Sequence, residues 1–176
     1  AEGGSLAMSA STTTRIDGPL VYLEVPGPEH LPTIWKVYLD APDYFEALTG
    51  SSDFDPADIE MMYEDAITDD ARYYFAVRRT DNKSLIGTLE VEVGSAEVPS
   101  VLRGLVLSQA ERGRGYGRAA LELLEGFLVE EHGATSIAAD VPAGYDDGER
   151  FLEAVGYRER RLKSGDMRWV KRLEAE

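Results

Sequence analysis

The chain of 176 residues contains no cysteine and only two histidines, His30 and His132. The lack of cysteine excludes disulfide frameworks, zinc–thiolate sites and thiol nucleophiles. The two histidines are far apart in the sequence, which argues against a histidine-rich metal site and against a histidine-dependent catalytic triad. We therefore expect a protein without a metal centre.

Long apolar segments are also missing. No stretch of the sequence reaches the roughly 18 apolar residues of a membrane span. Residues 1–14 are small and polar and lack the basic start and apolar centre of a signal peptide. We expect this arm to be disordered, with Met8 as a candidate natural start and residues 1–7 left over from cloning. The remainder, residues 15–176, is predicted to form one domain of a cytoplasmic protein that does not bind membranes.

Positive charge is scarce and unevenly placed. The chain has 18 basic and 33 acidic residues, a net charge of −15. Residues 1–100 hold 19 acidic and 6 basic residues, a balance of −13, whereas residues 101–176 hold 14 acidic and 12 basic residues. A chain this acidic should be repelled by nucleic acid. Residues 103–118 nevertheless contain four arginines and one acidic residue, Glu111.

The periodicity of apolar residues predicts alternating groups of strands and helices. Strands are predicted over residues 20–25, 72–79, 85–93, 101–107, 136–141, 157–162 and 167–173. Helices are predicted around Ile34–Leu39, after Asp55, and over residues 115–131 and 149–155, with a short additional helix over residues 43–48. The order β-αα-βββ-α-β-α-ββ indicates an α/β (α+β layered) fold with one central mixed β-sheet flanked by helices.

A glycine-rich loop joins a buried strand to the longest predicted helix. Its glycines are Gly113, Gly115 and Gly117. Backbone N–H groups at a helix start lack internal partners, and glycines let a ligand approach them closely. The loop therefore predicts a cradle for phosphate or pyrophosphate. The dinucleotide pattern Gly-x-Gly-x-x-Gly fails at its third glycine, and the Lys-Ser/Thr pair of a P-loop is missing.

The loop Arg112-Gly-Arg-Gly-Tyr-Gly117 resembles Arg/Gln-x-x-Gly-x-Gly/Ala, the acetyl-CoA loop of the GNAT superfamily of N-acetyltransferases. The preceding triplet Leu105-Val106-Leu107 is similar to the end of the strand that leads into that loop in the family. A second family motif matches Phe151-Leu-Glu-Ala-Val-Gly156-Tyr157. The resemblance covers roughly residues 20–173 and includes the order of the elements.

The resemblance implies that acetyl-CoA is the co-substrate. Its pyrophosphate should lie on the backbone of residues 113–117, Tyr116 included, and its pantetheine arm should pair with the backbone of Leu105 and Leu107. A strand N–H would polarise the acetyl carbonyl. An acceptor amine should attack directly, without a covalent enzyme intermediate. The basic side chains expected near the phosphates are Arg112, Arg114 and Arg118.

One departure from the family pattern affects the proton that the leaving thiolate takes up. Many members have a tyrosine as general acid where this chain has Leu152. Tyr145, where the family often has asparagine, is a candidate replacement from a neighbouring turn, although an ordinary loop aromatic is the simpler interpretation of this residue. Water and Tyr116 are the other candidate donors.

The general base is assigned less directly. Glu90 and Glu92 share one face of the strand next to the predicted acetyl-CoA strand, and Glu92 is the preferred candidate of the two. A solvated strand face explains the same pattern. Asp140, near the end of the next central strand, is a further candidate.

The acidic half of the chain carries the helices that wall the acceptor site in the family. An acidic site entrance favours cationic acceptors such as small amines, polyamines, aminoglycosides or basic peptide ends. Acidity that serves only solubility is the alternative. The sequence allows a monomer or a homodimer. Two other functions stay open: a non-catalytic acyl-CoA-binding module of the same fold, and an unrelated phosphate-binding domain.

Overall fold

The computed structural model describes residues 15–174 apart from residues 52, 54, 143 and 166. The predicted disordered arm, residues 1–14, lies outside the described residues. The strands are β1 (Arg15–Ile16), β2 (Val21–Glu24), β3 (Arg72–Arg79), β4 (Leu85–Glu92), β5 (Ser100–Leu107), β6 (Ser136–Ala139), β7 (Arg158–Arg161) and β8 (Met167–Arg172). The helices are α1 (Leu31–Leu39), α2 (Pro42–Thr49), α3 (Pro56–Thr68), α4 (Tyr116–His132) and α5 (Asp146–Ala154).

All eight strands belong to one sheet with the order β1-β2-β3-β4-β5-β6-β8-β7. The pairing of β5 with β6 is parallel and every other pairing is antiparallel. The predicted mixed sheet and the central place of β5 are confirmed. The short helix expected over residues 43–48 is α2, so three helices separate β2 from β3.

The two faces of the sheet carry separate cores. One core packs α4 and α5 against the sheet, and Leu124, Leu128 and Leu152 are among its buried members. The other packs α1, α2 and α3, which contribute Ile34 and Ile59 among others. A sheet that is covered on both faces needs apolar residues on both sides of its central strands, which explains the nearly continuous burial of β3 and β4.

The start of α3 follows directly from local sequence. Asp55 is its N-cap and forms a capping box with Asp58, and Pro56 occupies the first turn, where its missing N–H costs nothing. Not every apolar residue of α3 is buried, because Met62 is 36% exposed and Ile67 is 49% exposed.

The sheet opens between its two central parallel strands. The pairing of β5 with β6 runs from Ser100↔Ile137 to Leu102↔Ala139 and stops there, whereas β5 continues to Leu107 and stays paired with β4. The edge of β5 after Leu102 therefore faces a V-shaped gap. In the part of the chain that the structure describes, no helix has both the length and the apolar character of a membrane span.

Candidate active site

The loop before α4 has a backbone that requires glycine. Gly113 has φ of 78° and Gly115, the N-cap of α4, has φ of 87°. L-residues with side chains rarely adopt these positive angles. A Cβ at Gly113 would have no neighbour within 4 Å. The loop backbone therefore borders open space just where the first N–H groups of α4 need partners, which suits a bound anion.

Gly117 has a different reason to be glycine. A Cβ there would lie 3.2 Å from the Leu107 side chain and 3.3 Å from the Phe151 ring. The first turn of α4 thus approaches both β5 and α5 more closely than a side chain would allow. This close packing places the start of the helix beside the gap between the strands.

A cleft of about 510 Å³ runs from the glycine loop along the free edge of β5. Its floor comes from β5 and the loop, and its far wall comes from α5. The lining residues are Leu105, Leu107, Arg112, Gly113, Gly115, Gly117, Arg118, Tyr145, Asp147, Gly148, Arg150, Phe151, Ala154 and Val155. The cleft combines an anion cradle at one end with the strand edge of β5 along its length.

The arginines are arranged differently from the sequence expectation. Arg118 lines the cleft and donates to the carbonyl of Ala154 at 3.1 Å. Arg114 is 56% exposed, and its guanidinium lies 3.8 Å from the carboxylate of Glu111. It is not among the cleft-lining residues that the structure describes. Arg150 of α5, which the sequence analysis did not select, lines the cleft instead.

Arg112 is committed to a structural role. Its guanidinium donates to both carboxylate oxygens of Asp43, at 2.6 and 3.1 Å, and to the carbonyl of Leu107 at 3.2 Å. The bidentate pair ties the glycine loop and β5 to the first turn of α2. Arg112 therefore anchors the walls of the cleft, and its charge is already matched by a carboxylate.

Two further predicted cofactor residues, Val106 and Tyr116, are not among the described residues that line the cleft. Val106 is 6% exposed and packs into the core on the α1–α3 face. Tyr116 is 7% exposed, and the Arg79 guanidinium lies over its ring at 5.4 Å. A tyrosine buried in this way is not placed to protonate a thiolate in the cleft.

A smaller cavity of about 60 Å³ lies between the diverging strands β5 and β6. It shares Leu105, Tyr145, Gly148 and Phe151 with the larger cleft, so the two are continuous. Its other lining residues are Tyr44, Leu102, Gly104, Ala139, Asp140, Val141, Pro142 and Leu152. Most of these side chains are apolar, which makes the cavity suited to a small acyl group.

The candidate acid Tyr145 lies at the junction of the two cavities. Its hydroxyl donates to Asp43 at 3.4 Å, and its ring packs edge-on against Tyr44 at 5.6 Å. Burial raises the pKa of Tyr145, so the phenol stays neutral near physiological pH. Leu152 is 3% exposed and lines the same cavity without any polar group.

The three candidate bases are all paired with arginine. Glu90 pairs with Arg72. Glu92 accepts from Arg103 at 3.0 Å, and both oxygens of Asp140 accept from Arg168, at 2.9 and 3.0 Å.

Strand register separates the two glutamates. Glu90 stands opposite Gly104, which lines the small cavity, whereas Glu92 stands opposite Val101 at the far end of the strand pair. Glu90 is therefore nearer to the cavity. The sequence-based preference was for Glu92, whereas the strand register favours Glu90.

The Asp43–Arg112 pair predicts an acid-sensitive fold. The hydrogen bond from Arg112 lowers the pKa of Asp43, so the folded protein holds this proton less tightly than the unfolded chain. The contribution to stability is complete above the unfolded pKa of about 3.9 and is lost as the pH falls through the lower folded pKa. In Asp43→Asn, the free energy of unfolding measured with urea should fall less steeply as the pH is lowered through this range. Asp65→Asn, at an exposed site of α3, should leave this pH dependence unchanged.

The chain matches the sequence model of the "Acetyltransferase (GNAT) family" over residues 34–157. No curated protein matches it. An acetyltransferase from Thermus thermophilus has a similar structure, with a TM-score of 0.76, 23% identity, and 91% of this chain and 100% of that chain covered. RimL, a ribosomal L7/L12 alpha-N-protein acetyltransferase solved with coenzyme A, has a TM-score of 0.75, 9% identity, and 92% and 99% covered. The PaiA N-acetyltransferase of Thermoplasma acidophilum, also solved with coenzyme A, has a TM-score of 0.62, 15% identity, and 86% and 98% covered.

Proposed function

Because the chain belongs to the GNAT acetyltransferase family, we propose that it is an N-acetyltransferase that moves the acetyl group of acetyl-CoA to a primary amine. The acceptor attacks the thioester directly while both substrates are bound. The observation that carries the proposal is the single cleft that joins the glycine cradle before α4 to the free edge of β5.

The residues of the cleft fit the parts of acetyl-CoA in order. The loop backbone around Gly113 and Gly115 and the start of α4 suit the diphosphate, with Arg118 and Arg150 beside it. The backbone edge of β5 between Leu102 and the Leu107 carbonyl, which already accepts from Arg112, suits the amide groups of the pantetheine arm, and the small cavity suits the acetyl end. No metal is required for this chemistry. Within the described residues, no group of three or more His, Cys, Asp or Glu side chains could hold a metal ion.

The acceptor amine must lose a proton before it can attack. An alkylamine with a pKa of about 10.4 is mostly protonated at pH 7, and its neutralisation costs roughly 4–5 kcal/mol at 1.36 kcal/mol per pKa unit. A carboxylate near the cavity can act as a general base and accept the proton while the amine attacks. We assign this role to Glu90, because it stands opposite Gly104 and 13% of its side chain remains exposed.

The acceptor is expected to be cationic. α2 supplies Tyr44 to the cavity, and the segment that follows it carries exposed acidic residues without a basic ion-pair partner among the described residues. They are Asp53, Asp55, Asp58, Glu60, Glu64, Asp65 and Asp70. A negative surface of this kind raises the local concentration of cationic substrates. Small amines and peptide amines both fit this description, and RimL is named for acting on a protein α-amine.

Glu90→Gln should lower kcat and move the pH optimum of turnover upward. The amide keeps the size of the side chain but does not accept the proton, so the reaction depends on amine that is already neutral. Glu92→Gln removes the same charge from the same strand face and is the matched control. The pH profiles of both variants test the assignment; a shift in Glu92→Gln with none in Glu90→Gln would transfer the role to Glu92.

A non-catalytic acyl-CoA-binding module is the second candidate, favoured by the apolar Leu152 in the cavity. Release of CoA thiol from acetyl-CoA with a panel of amines distinguishes the two, because a module binds CoA without releasing thiol on any amine. Competition with ADP tests an unrelated phosphate-binding domain, because such a domain should bind ADP as well as CoA, whereas a protein that also uses the β5 edge should prefer CoA. A cytoplasmic location and a monomeric or homodimeric state stay predictions.

A further inference from the structure

The small cavity contains three side chains with polar groups that could meet a reacting thioester: Tyr44, Asp140 and Tyr145. Two of them are already engaged. The carboxylate of Asp140 accepts two hydrogen bonds from the guanidinium of Arg168. The hydroxyl of Tyr145 donates to Asp43.

Tyr44 differs from the other two. The residue is 9% exposed, yet its hydroxyl has no hydrogen-bond partner among the described residues. Its position is defined by Gly104, where an added Cβ would lie 3.2 Å from the Tyr44 oxygen and would meet no other atom within 4 Å. The hydroxyl therefore fills part of the space left by the glycine, beside the free edge of β5. The Tyr44 oxygen is not one of the fully buried side-chain atoms without a partner, so solvent in the cavity reaches it, and a bound ligand that displaces this solvent can accept its hydrogen bond.

The ring of Tyr44 is held rigidly. It packs edge-on against Phe45 at 5.1 Å and against Tyr145 at 5.6 Å. The preceding residue, Asp43, is fixed by the bidentate contact from Arg112. The loop that forms the anion cradle and the helix that carries Tyr44 are thus joined by one ion pair, which sets the hydroxyl in a constant position relative to the cleft.

We infer that Tyr44 is the hydrogen-bond donor to the leaving sulfur of the thioester, a role that rests on the proposed acetyl transfer. The amine nitrogen forms a bond to the acetyl carbon, the bond from that carbon to sulfur breaks, and the electron pair stays on sulfur as a thiolate. Tyr44 stabilises this negative charge with its O–H. Glu90, the proposed base, takes the proton lost by the amine and passes it to solvent, and the thiolate takes a proton from solvent, so the products are the amide and the CoA thiol.

Tyr44 acts as a donor and not as a proton-transfer acid. Burial raises its pKa well above the usual value, so the phenol stays protonated throughout the reaction. The titratable groups that face it electrostatically are Tyr38, Tyr145 and Glu90. A neutral donor already placed where negative charge develops lowers the barrier without any rearrangement.

The test measures the thiol pKa of bound CoA from the pH dependence of its alkylation, with protein in excess. The chain has no cysteine, so alkylation reports on CoA alone. We expect Tyr44→Phe to raise this thiol pKa by about one to two units, the effect of one hydrogen bond to a charged group. With acetyl-CoA and an amine, kcat should fall about 10- to 100-fold, and the affinity for CoA should stay unchanged.

Two further variants keep the test decisive. Tyr73→Phe makes the same change on the opposite face of the sheet, beside His132, and should leave the bound thiol pKa unchanged. Tyr145→Phe tests the competing donor. If Tyr145→Phe raises the thiol pKa while Tyr44→Phe does not, the inference is overturned. A wild-type protein that fails to bind CoA would overturn the proposed function itself, an outcome distinct from bound CoA whose thiol is insensitive to Tyr44.

Discussion

Gly115→Asp is expected to lower the affinity for CoA at least about 100-fold while the protein stays folded. A carboxylate about 4 Å from a phosphate costs roughly 4 kcal/mol near a protein surface, and each 1.4 kcal/mol is a tenfold loss of affinity. Gly115 has φ of 87° and its Cβ position meets only a Leu20 methyl at 3.9 Å. Aspartate tolerates this backbone region better than most residues, so the fold should survive.

The matched control is Gly133→Asp. Gly133 caps the other end of α4 with φ of 64° and has no atom within 4 Å of its Cβ position. It carries the same backbone strain and the same added charge, but α4 has 17 residues, which separate it from the cradle by about 25 Å at 1.5 Å per residue. Titration calorimetry with CoA compares the two variants. Equal affinities would mean that the diphosphate does not lie on the glycine loop.

Gly104→Val is expected to reduce turnover at least about 100-fold by filling the small cavity. Adding a bulky group to a packed site costs roughly 1–3 kcal/mol. Here the valine side chain would occupy the space proposed for the acetyl group, beside the Tyr44 hydroxyl. ADP, which reaches only the cradle, should bind as it does to the wild type. The measurements are CoA release with an amine and ADP binding on the same preparation.

Gly126→Val serves as the control for the second variant. Gly126 lies on α4, where its Cβ position has no neighbour within 4 Å, so an added side chain meets open space. Turnover in Gly126→Val should match the wild type. Full turnover in Gly104→Val would show that the gap between β5 and β6 is not where the thioester reacts.

The strands and the glycine loop could be predicted because their signals are local. Alternation over residues 72–79 identifies β3, whose bounds Arg72–Arg79 agree with it. Asp55 and Pro56 mark the start of α3 by capping chemistry alone. Glycine is the residue type that adopts positive φ angles readily, so the angles observed at Gly113 and Gly115 could be expected from the sequence.

The partners of the side chains could not be predicted in the same way. Arg112 lines the cleft, and its place beside phosphate stays a prediction, but its ion pair with Asp43, 69 residues earlier in the chain, has no signal in the sequence. No sequence pattern marked Tyr44 as a site residue, because its proposed role depends on the contact of its hydroxyl with Gly104 on a different element, β5. Such contacts are set by the packing of helices on the sheet and not by the spacing of residues within one element.

A crystal structure with bound CoA would show whether the backbone of residues 113–117 and the edge of β5 hold this molecule. We expect diphosphate oxygens within about 3 Å of loop and first-turn N–H groups, pantetheine amides on the β5 edge, and the sulfur beside the Tyr44 hydroxyl. CoA bound on another surface, with this cleft empty, would contradict this expectation.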